Sequence, residues 1–239
     1  FGNLPTGLPA GSSWYHAFTA RFERRFGQGF MVQANYTWSK AMEAVAYLEP
    51  TDPAPTHVIS DLDRTQRLTF AGIYELPVGR GKQFGSQMSR WMDTIVGGWQ
   101  IQALYQGQTG APLNFGNVIY SGTYEQLVNP SQNLLQWFNT DGFERRAPLQ
   151  LAQNIRTFPF RITSVRSYGI NVWDMSVQKN FQIFEKLRVQ LRGEAEGAFN
   201  TPNYSPPNTA PTSTLFGRVT ATQTGQEERR IFVGMKVIF

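Results

Sequence analysis

The segment Gly79-Arg80-Gly81-Lys82 has the glycines and lysine of a phosphate-cradling loop, whose chemistry would be nucleotide binding. The pattern is incomplete: Leu76 stands where the first glycine belongs and Gln83 where a Ser or Thr belongs, so the segment reads as a glycine-rich turn. Asp61 and Asp63 could give calcium two carboxylates, but no full ligand spacing follows, and a solvated loop is the plainer reading. The chain has 2 His, His16 and His57, far apart, and 0 Cys, which removes thiolate metal sites, iron–sulfur clusters, disulfides and cysteine nucleophiles. Asn35-Tyr36-Thr37 matches a glycosylation acceptor but sits inside an alternating segment that reads as a strand. No catalytic pattern emerges, so the chain is not expected to be an enzyme, and no cofactor or metal is expected.

Binding chemistry has three candidate groups. Tyr120, Tyr124, Trp137 and Phe138, in the longest stretch without strand pattern, could stack on a sugar or other flat ligand; Trp137 and Phe138 could equally anchor a small core of that loop. Arg188, Gln190, Arg192, Glu194 and Glu196 form a polar ladder at two-residue spacing, suited to charge-assisted hydrogen bonds inside a lumen or to a passing substrate. Gln100, Gln102, Gln106 and Gln108 are its uncharged counterpart. Val233, Met235, Val237 and Phe239 form an apolar stripe ending in an aromatic. It looks like a strand read by the barrel-assembly machinery through edge pairing, or a simple lipid-facing strand end.

The elements that must position these groups are strands. With 14% aromatic and 16% charged residues the chain is not disordered, and its mean hydropathy of −0.36 fits apolar residues interleaved with polar ones. No apolar run is long enough for a membrane helix. Residues 1–5 have neither the basic start nor the apolar core of a signal peptide, and the chain reads as mature or as a fragment. Period-two alternation marks Trp14–Phe22, Phe30–Trp38, Leu68–Leu76, Trp99–Gly107, Trp173–Phe181, Leu187–Phe199 and Ile231–Phe239. One face of each is apolar, interrupted only by Lys179, which lies near a strand end where its stem can snorkel. The opposite faces carry Arg21, Glu75, Asp174, Arg188, Arg192, Glu194, Glu196 and Lys236. The fold class is all-β.

Alternation fits a soluble sandwich and a membrane barrel alike. A sandwich puts its bulkiest residues at mid-strand. Here Trp14, Phe22, Phe30, Trp38, Trp99, Tyr105, Trp173 and Phe181 sit toward strand ends, while Ala20, Ala34, Gly72, Ala103 and Val177 hold the middles. Aromatic girdles around an aliphatic belt favour an antiparallel transmembrane β-barrel, whose strands cross in about 9–11 residues. The connections alternate: Gly27-Gln28-Gly29, 77–98 and 182–186 are the shorter, against 40–67, 108–172 and 200–230. The shorter set is expected in the periplasm and the longer set outside. Trp91, Met92, Ile95 and Val96 could form a short interfacial helix or an ordinary amphipathic turn. Phe216–Thr222 also reads as a strand but is placed in the last external loop, since a crossing there would invert the final strand. About seven crossing strands are odd in number and too few to enclose the polar side chains, so residues 1–239 are expected to be the C-terminal portion of a larger barrel.

Several segments carry a family resemblance: Tyr36-Thr37-Trp38-Ser39-Lys40, Tyr74-Glu75-Leu76-Pro77 with Gly79-Arg80-Gly81-Lys82, and Gly97-Gly98-Trp99-Gln100. Gln108-Thr109-Gly110-Ala111-Pro112, Trp173-Asp174, Lys179-Asn180-Phe181, Ala198-Phe199-Asn200-Thr201-Pro202-Asn203-Tyr204 and the close from Arg229 to Phe239 continue the order. Together they resemble the C-terminal barrel of TonB-dependent outer-membrane receptors, in the subgroup with an N-terminal carboxypeptidase-regulatory-like domain. Glu196 and Gly197 depart from that family's usual Phe and Asn. The resemblance implies a barrel of about 22 strands occluded by an N-terminal plug. It further implies uptake of a scarce small-molecule or oligomeric nutrient, driven by the TonB complex through a plug region upstream of this chain. The implied partners are outer-membrane lipid, the TonB complex, the barrel-assembly machinery and the nutrient, in the outer membrane of a Gram-negative type cell. The alternatives are a soluble β-sandwich for carbohydrate binding or adhesion, and a porin-like barrel without TonB coupling. A net charge of +5 raises a nucleic-acid reading, but the basic residues are scattered and mostly beside Glu, so no nucleic-acid partner is expected.

Overall fold

The computed structural model describes residues 10–150, 155–183, 187–223 and 228–239. The opening residues 1–5 and part of the 182–186 connection, both read above from sequence, lie outside these. The strands are β1 (Ser12–Gly27), β2 (Phe30–Ala44), β3 (Val58–Ile59), β4 (Gln66–Glu75), β5 (Trp99–Gln108), β6 (Pro112–Asn114), β7 (Arg161–Arg166), β8 (Ile170–Gln182), β9 (Arg188–Glu196) and β10 (Arg230–Ile238). One short helix, α1 (Arg90–Val96), precedes β5, and no helix among the described residues is long and apolar enough to cross a membrane.

Seven long strands pair in the order β1-β2-β4-β5-β8-β9-β10, every pair antiparallel, and β3 adds to β2. They coincide with the seven alternating segments. β1 and β2 are longer than expected, at 16 and 15 residues: β1 runs past Phe22 to the hairpin and β2 past Trp38 to Ala44. The connection 45–65 is therefore no longer than 76–98, and the expected alternation of short and long connections fails there. β9 is shorter than expected because Gly197 (φ 57°) and Asn200 (φ 53°) turn the chain out of the sheet. The hairpin between β1 and β2 closes on Gln28 (φ 54°) and Gly29 (φ 85°), the doubly left-handed turn whose twist matches that of paired strands.

The register joins the apolar faces of the seven strands into one surface. Phe22 pairs with Ala34, Ala34 with Phe70, Phe70 with Tyr105 and Tyr105 with Trp173. The next row on that face, toward the short-loop end, reads Val32, Gly72, Ala103, Met175, Ala195 and Ile231. Below it Phe30 pairs with Tyr74, and Trp99 with Lys179. Two aromatic bands therefore enclose a belt of small and aliphatic residues. The upper band is a contact network, with Tyr105 and Trp173 centroids 4.6 Å apart and Phe70 and Phe199 each 6.2 Å from Trp173.

A sandwich would cover this surface with a second sheet. The other sheet among the described residues is the two-stranded β6–β7 pair in a connecting loop, and Phe18, Trp38, Val233 and Met235 stay 61%, 59%, 86% and 70% exposed. The sandwich alternative is thereby corrected: the long strands form one sheet whose apolar face no second sheet covers among the described residues.

Lys179 differs from the snorkelling expected of it. It is 2% exposed, its ammonium donating to the carbonyl oxygens of Ile95 (3.0 Å) and Gly97, with the Trp99 and Phe181 rings 5.2 and 5.1 Å away. Carbonyls at the end of α1 replace the water that its charge would otherwise seek.

Phe216–Thr222 is loop, tied by isolated bridges from Asn208 to Phe216 and from Tyr204 to Thr222. It lies in the connection where it was expected.

Candidate functional site

Buried apolar side chains are concentrated in the long loops, not in the sheet. Leu113, Phe115, Val118, Leu127, Trp137, Phe138, Phe143, Phe158, Ile162 and Val165 come from the β5–β8 connection, and Phe216 and Val219 from the β9–β10 connection. Phe115 is at the centre, edge-on to Phe138 (5.3 Å) and Phe158 (5.2 Å) and stacked on Phe143 (5.8 Å). Such pairs add about 0.5–1.5 kcal/mol each beyond burial, which helps a small loop core hold its shape.

Three acidic side chains from β2 and the β2–β4 connection fasten this core to the sheet. Asp63, 1% exposed in its side chain, accepts from the Arg166 guanidinium (2.7 Å), the Ala41 amide (2.6 Å) and the Thr65 hydroxyl (3.2 Å). Arg166 also donates to the Gly110 carbonyl (3.1 Å), and its own carbonyl accepts the Trp137 indole N–H (2.6 Å). Glu43 pairs with Arg161, which donates to the Ile59 carbonyl (2.8 Å), and Glu49 accepts the Arg156 amide. Arg156 in turn donates to the carbonyls of Phe115 (2.6 Å) and Phe158 (3.0 Å), and burial lowers its pKa from the ordinary value. Gly110 is required at the base: a Cβ there would stand 1.9 Å from the Ser167 carbonyl oxygen.

Of the four aromatics proposed for ligand contact, Phe138 is 0% and Trp137 7% exposed, both inside the loop core. Tyr120 is half-buried between Phe143 (4.6 Å) and Phe158 (5.6 Å), its hydroxyl donating to the Thr123 carbonyl (2.8 Å). Burial, and secondarily the nearby Glu125 carboxylate, raise its pKa. Tyr124 is 43% exposed and meets Phe158 edge-on. Tyr120 and Tyr124 share a shallow hollow with Gly122, Glu125, Thr157 and Phe158. Asp63 is not solvated as the sequence reading had it. Its acceptor oxygens are taken by protein donors, and no group of His, Cys, Asp or Glu suited to a metal occurs among the described residues. In the glycine-rich turn, the Arg80 amide is likewise engaged, by the Asp93 carboxylate (2.8 Å).

The polar ladder lies on the other side of the sheet from the aromatic bands. Arg192 pairs with Glu194 along β9, and Gln190 donates to Asn180 of β8 (3.0 Å). Glu196 pairs in register with Arg230 and Arg188 with Ile238. The glutamine ladder shares this face, Gln178 bonding Gln100 and Ser176 donating to Gln102 (3.4 Å). Gln33, Asn35, Thr69, Gln106 and Asp174 line a hollow on it. Val233, Met235 and Val237 are on the apolar face in register with Gly193, Leu191 and Val189, and Phe239 is 93% exposed beyond the strand.

Sequence reasoning missed Glu43, Glu49, Arg156, Arg161 and Arg166. The partners are separated by about a hundred residues, and no local pattern joins them. The signal that could have found them is the five-residue spacing of Arg156, Arg161 and Arg166.

A family model described as an outer membrane beta barrel domain matches residues 1–232. Neither a curated protein nor a solved structure matches the chain.

Proposed function

The chain belongs to the outer membrane β-barrel domain family, and from that premise we propose that it is the C-terminal wall of a plugged, TonB-dependent nutrient receptor. It is an outer-membrane protein, and membrane lipid is the partner of its apolar face. The polar face, with Arg192, Glu194, Gln100 and Gln102, then lines the interior, since polar side chains cannot be left against hydrocarbon.

The observation that carries this reading is the open sheet. One edge of β1 and one edge of β10 have no strand partner among the described residues. Unpaired backbone groups in lipid cost several kcal/mol each, so further strands must close the barrel. A barrel wide enough for this polar lining needs a plug if it is not to leak. The resemblance of Tyr74-Glu75-Leu76-Pro77, Gly97-Gly98-Trp99-Gln100 and the other segments above supports a TonB-coupled receptor of about 22 strands. In this reading the plug and TonB contact lie in segments preceding this one, and the activity is transport without catalysis. The loop core displays Tyr120 and Tyr124 toward a small-molecule or oligomeric nutrient. The stripe Val233, Met235, Val237 and Phe239 serves the barrel-assembly machinery.

Two measurements test the proposal. The gene upstream of this segment is expected to encode a plug domain and a TonB-binding motif. The full-length protein in planar bilayers is expected to be electrically silent until its plug is removed. A steady ohmic conductance from the intact protein would favour the porin-like alternative instead.

A further inference from the structure

The connection between β4 and β5 is at the short-loop end, the periplasmic end of an outer-membrane barrel. Its helix α1 buries none of its residues. Trp91, Met92, Ile95 and Val96 fall within about 140° of the helix circumference at roughly 100° per residue, with Arg90, Asp93 and Thr94 on the remaining arc. Trp91 and Ile95 are 67% and 61% exposed, and Phe84 in the preceding turn is 57% exposed. A segment this short with this much uncovered apolar surface needs a partner.

The helix is held at a defined place. The Trp99 indole N–H (3.0 Å) and the Lys179 ammonium (3.0 Å) both donate to the Ile95 carbonyl, and Lys179 also donates to Gly97. Trp99 and Lys179 are cross-strand partners on the apolar face of the sheet. At the other end, the Asp93 carboxylate accepts the Arg80 amide and fixes the helix to the glycine-rich turn. The C-terminal end of α1 is thus clamped to the lower aromatic band, on the side where the barrel meets lipid. Arg90, the first residue of α1, and Arg80 in the glycine-rich turn are exposed.

We propose that α1 is a monotopic anchor lying in the periplasmic phospholipid leaflet. Its Trp91, Met92, Ile95 and Val96 side chains enter the acyl boundary, and Arg80 and Arg90 meet lipid phosphates. The occupant follows from continuity, because the apolar arc extends the surface that already faces lipid, and from charge, because exposed guanidiniums complement anionic headgroups. Lys179 makes the arrangement possible. Its ammonium caps the Gly97 carbonyl and shares the Ile95 carbonyl with the Trp99 indole, at a helix end that hydrocarbon could not satisfy. The inference rests on the outward assignment of the apolar face and not on TonB coupling.

The test uses full-length protein in phosphatidylethanolamine–phosphatidylglycerol vesicles with a nitroxide on Ile95→Cys. Val177→Cys serves as the wall control and Gln102→Cys as the polar-face control. Collision with oxygen is expected to exceed collision with a water-soluble nickel chelate several-fold at positions 95 and 177, with the reverse at 102. Nickel-dominated relaxation at 95 with oxygen-dominated relaxation at 177 would overturn the anchor while leaving the wall intact. Oxygen dominance at 102 instead of 177 would overturn the face assignment and the anchor with it. Independently of the cysteine variants, brominated lipid should quench the emission contributed by Trp91, read as the difference between wild type and Trp91→Phe. An unquenched Trp91 contribution, taken as the emission of wild type minus that of Trp91→Phe, would refute the anchor.

Discussion

Asp63 and Arg166 join the β2–β4 loop, the base of the loop core and the upper end of β2 through one buried ion pair. Removing one member of such a pair strands the other charge, which costs more than the pair itself contributes. Asp63→Ala is therefore expected to destabilise loop docking by about 3 kcal/mol. The measurement is faster proteolysis of the long loops with unchanged heat-modifiable migration of the barrel. Asp63→Ala with Arg166→Met should recover part of the loss, because no unpaired charge remains. Glu144 gives a pH prediction. Hydrogen bonds from the Arg146 guanidinium (2.9 and 2.8 Å), then from its backbone N–H, lower the Glu144 carboxyl to about 2. Because the folded value lies below the ordinary 4.5, its contribution is complete above pH 4.5 and is lost as pH falls through about 2. Carboxyl carbon NMR should show that midpoint, moving upward toward 4.5 in Arg146→Gln. Asp63 drew notice in the sequence as an acidic loop residue, but its partner was not legible, because nothing local to 61–65 refers to Arg166.

At the scale of elements, alternation located all seven long strands, and the glycine of Gln28-Gly29 marked the tightest turn. Gln28 sits at φ 54°, a conformation that Asn tolerates better than Gln. Gln28→Asn is expected to stabilise the β1–β2 hairpin, read as a higher urea midpoint in detergent. The short strands β3, β6 and β7 carried no readable signal. A strand of two or three residues is too brief for a period to show, and its pairing is set by the loop core packed around it. The expected β9 runs too far because Phe199 keeps the two-residue spacing of Leu187, Val189 and Leu191. The regular ladder ends before Gly197, whose φ of 57° departs from extended backbone, although the Ala198 amide still donates to the Trp173 carbonyl (2.7 Å).

For the whole molecule, membership in an outer membrane barrel family gives the uncovered face its solvent. Residues 1–239 expressed alone present that face together with two strand edges. Both are association surfaces in water. The isolated segment is expected to aggregate without detergent, and light scattering of refolded protein checks this. A monodisperse, detergent-free monomer would contradict the membrane reading of the sheet.

The sequence by itself determined the seven long strands, their two faces and the tight β1–β2 turn. Each of these is a local consequence of backbone period and of turn-forming residues. The tertiary structure alone decided that the buried core lies in the loops, that Trp137 and Phe138 belong to it, and that Lys179 caps α1. Those outcomes depend on contacts between residues tens to a hundred positions apart. The energy of such contacts comes from removing side chains from solvent together, and no period along the chain records which ones will meet.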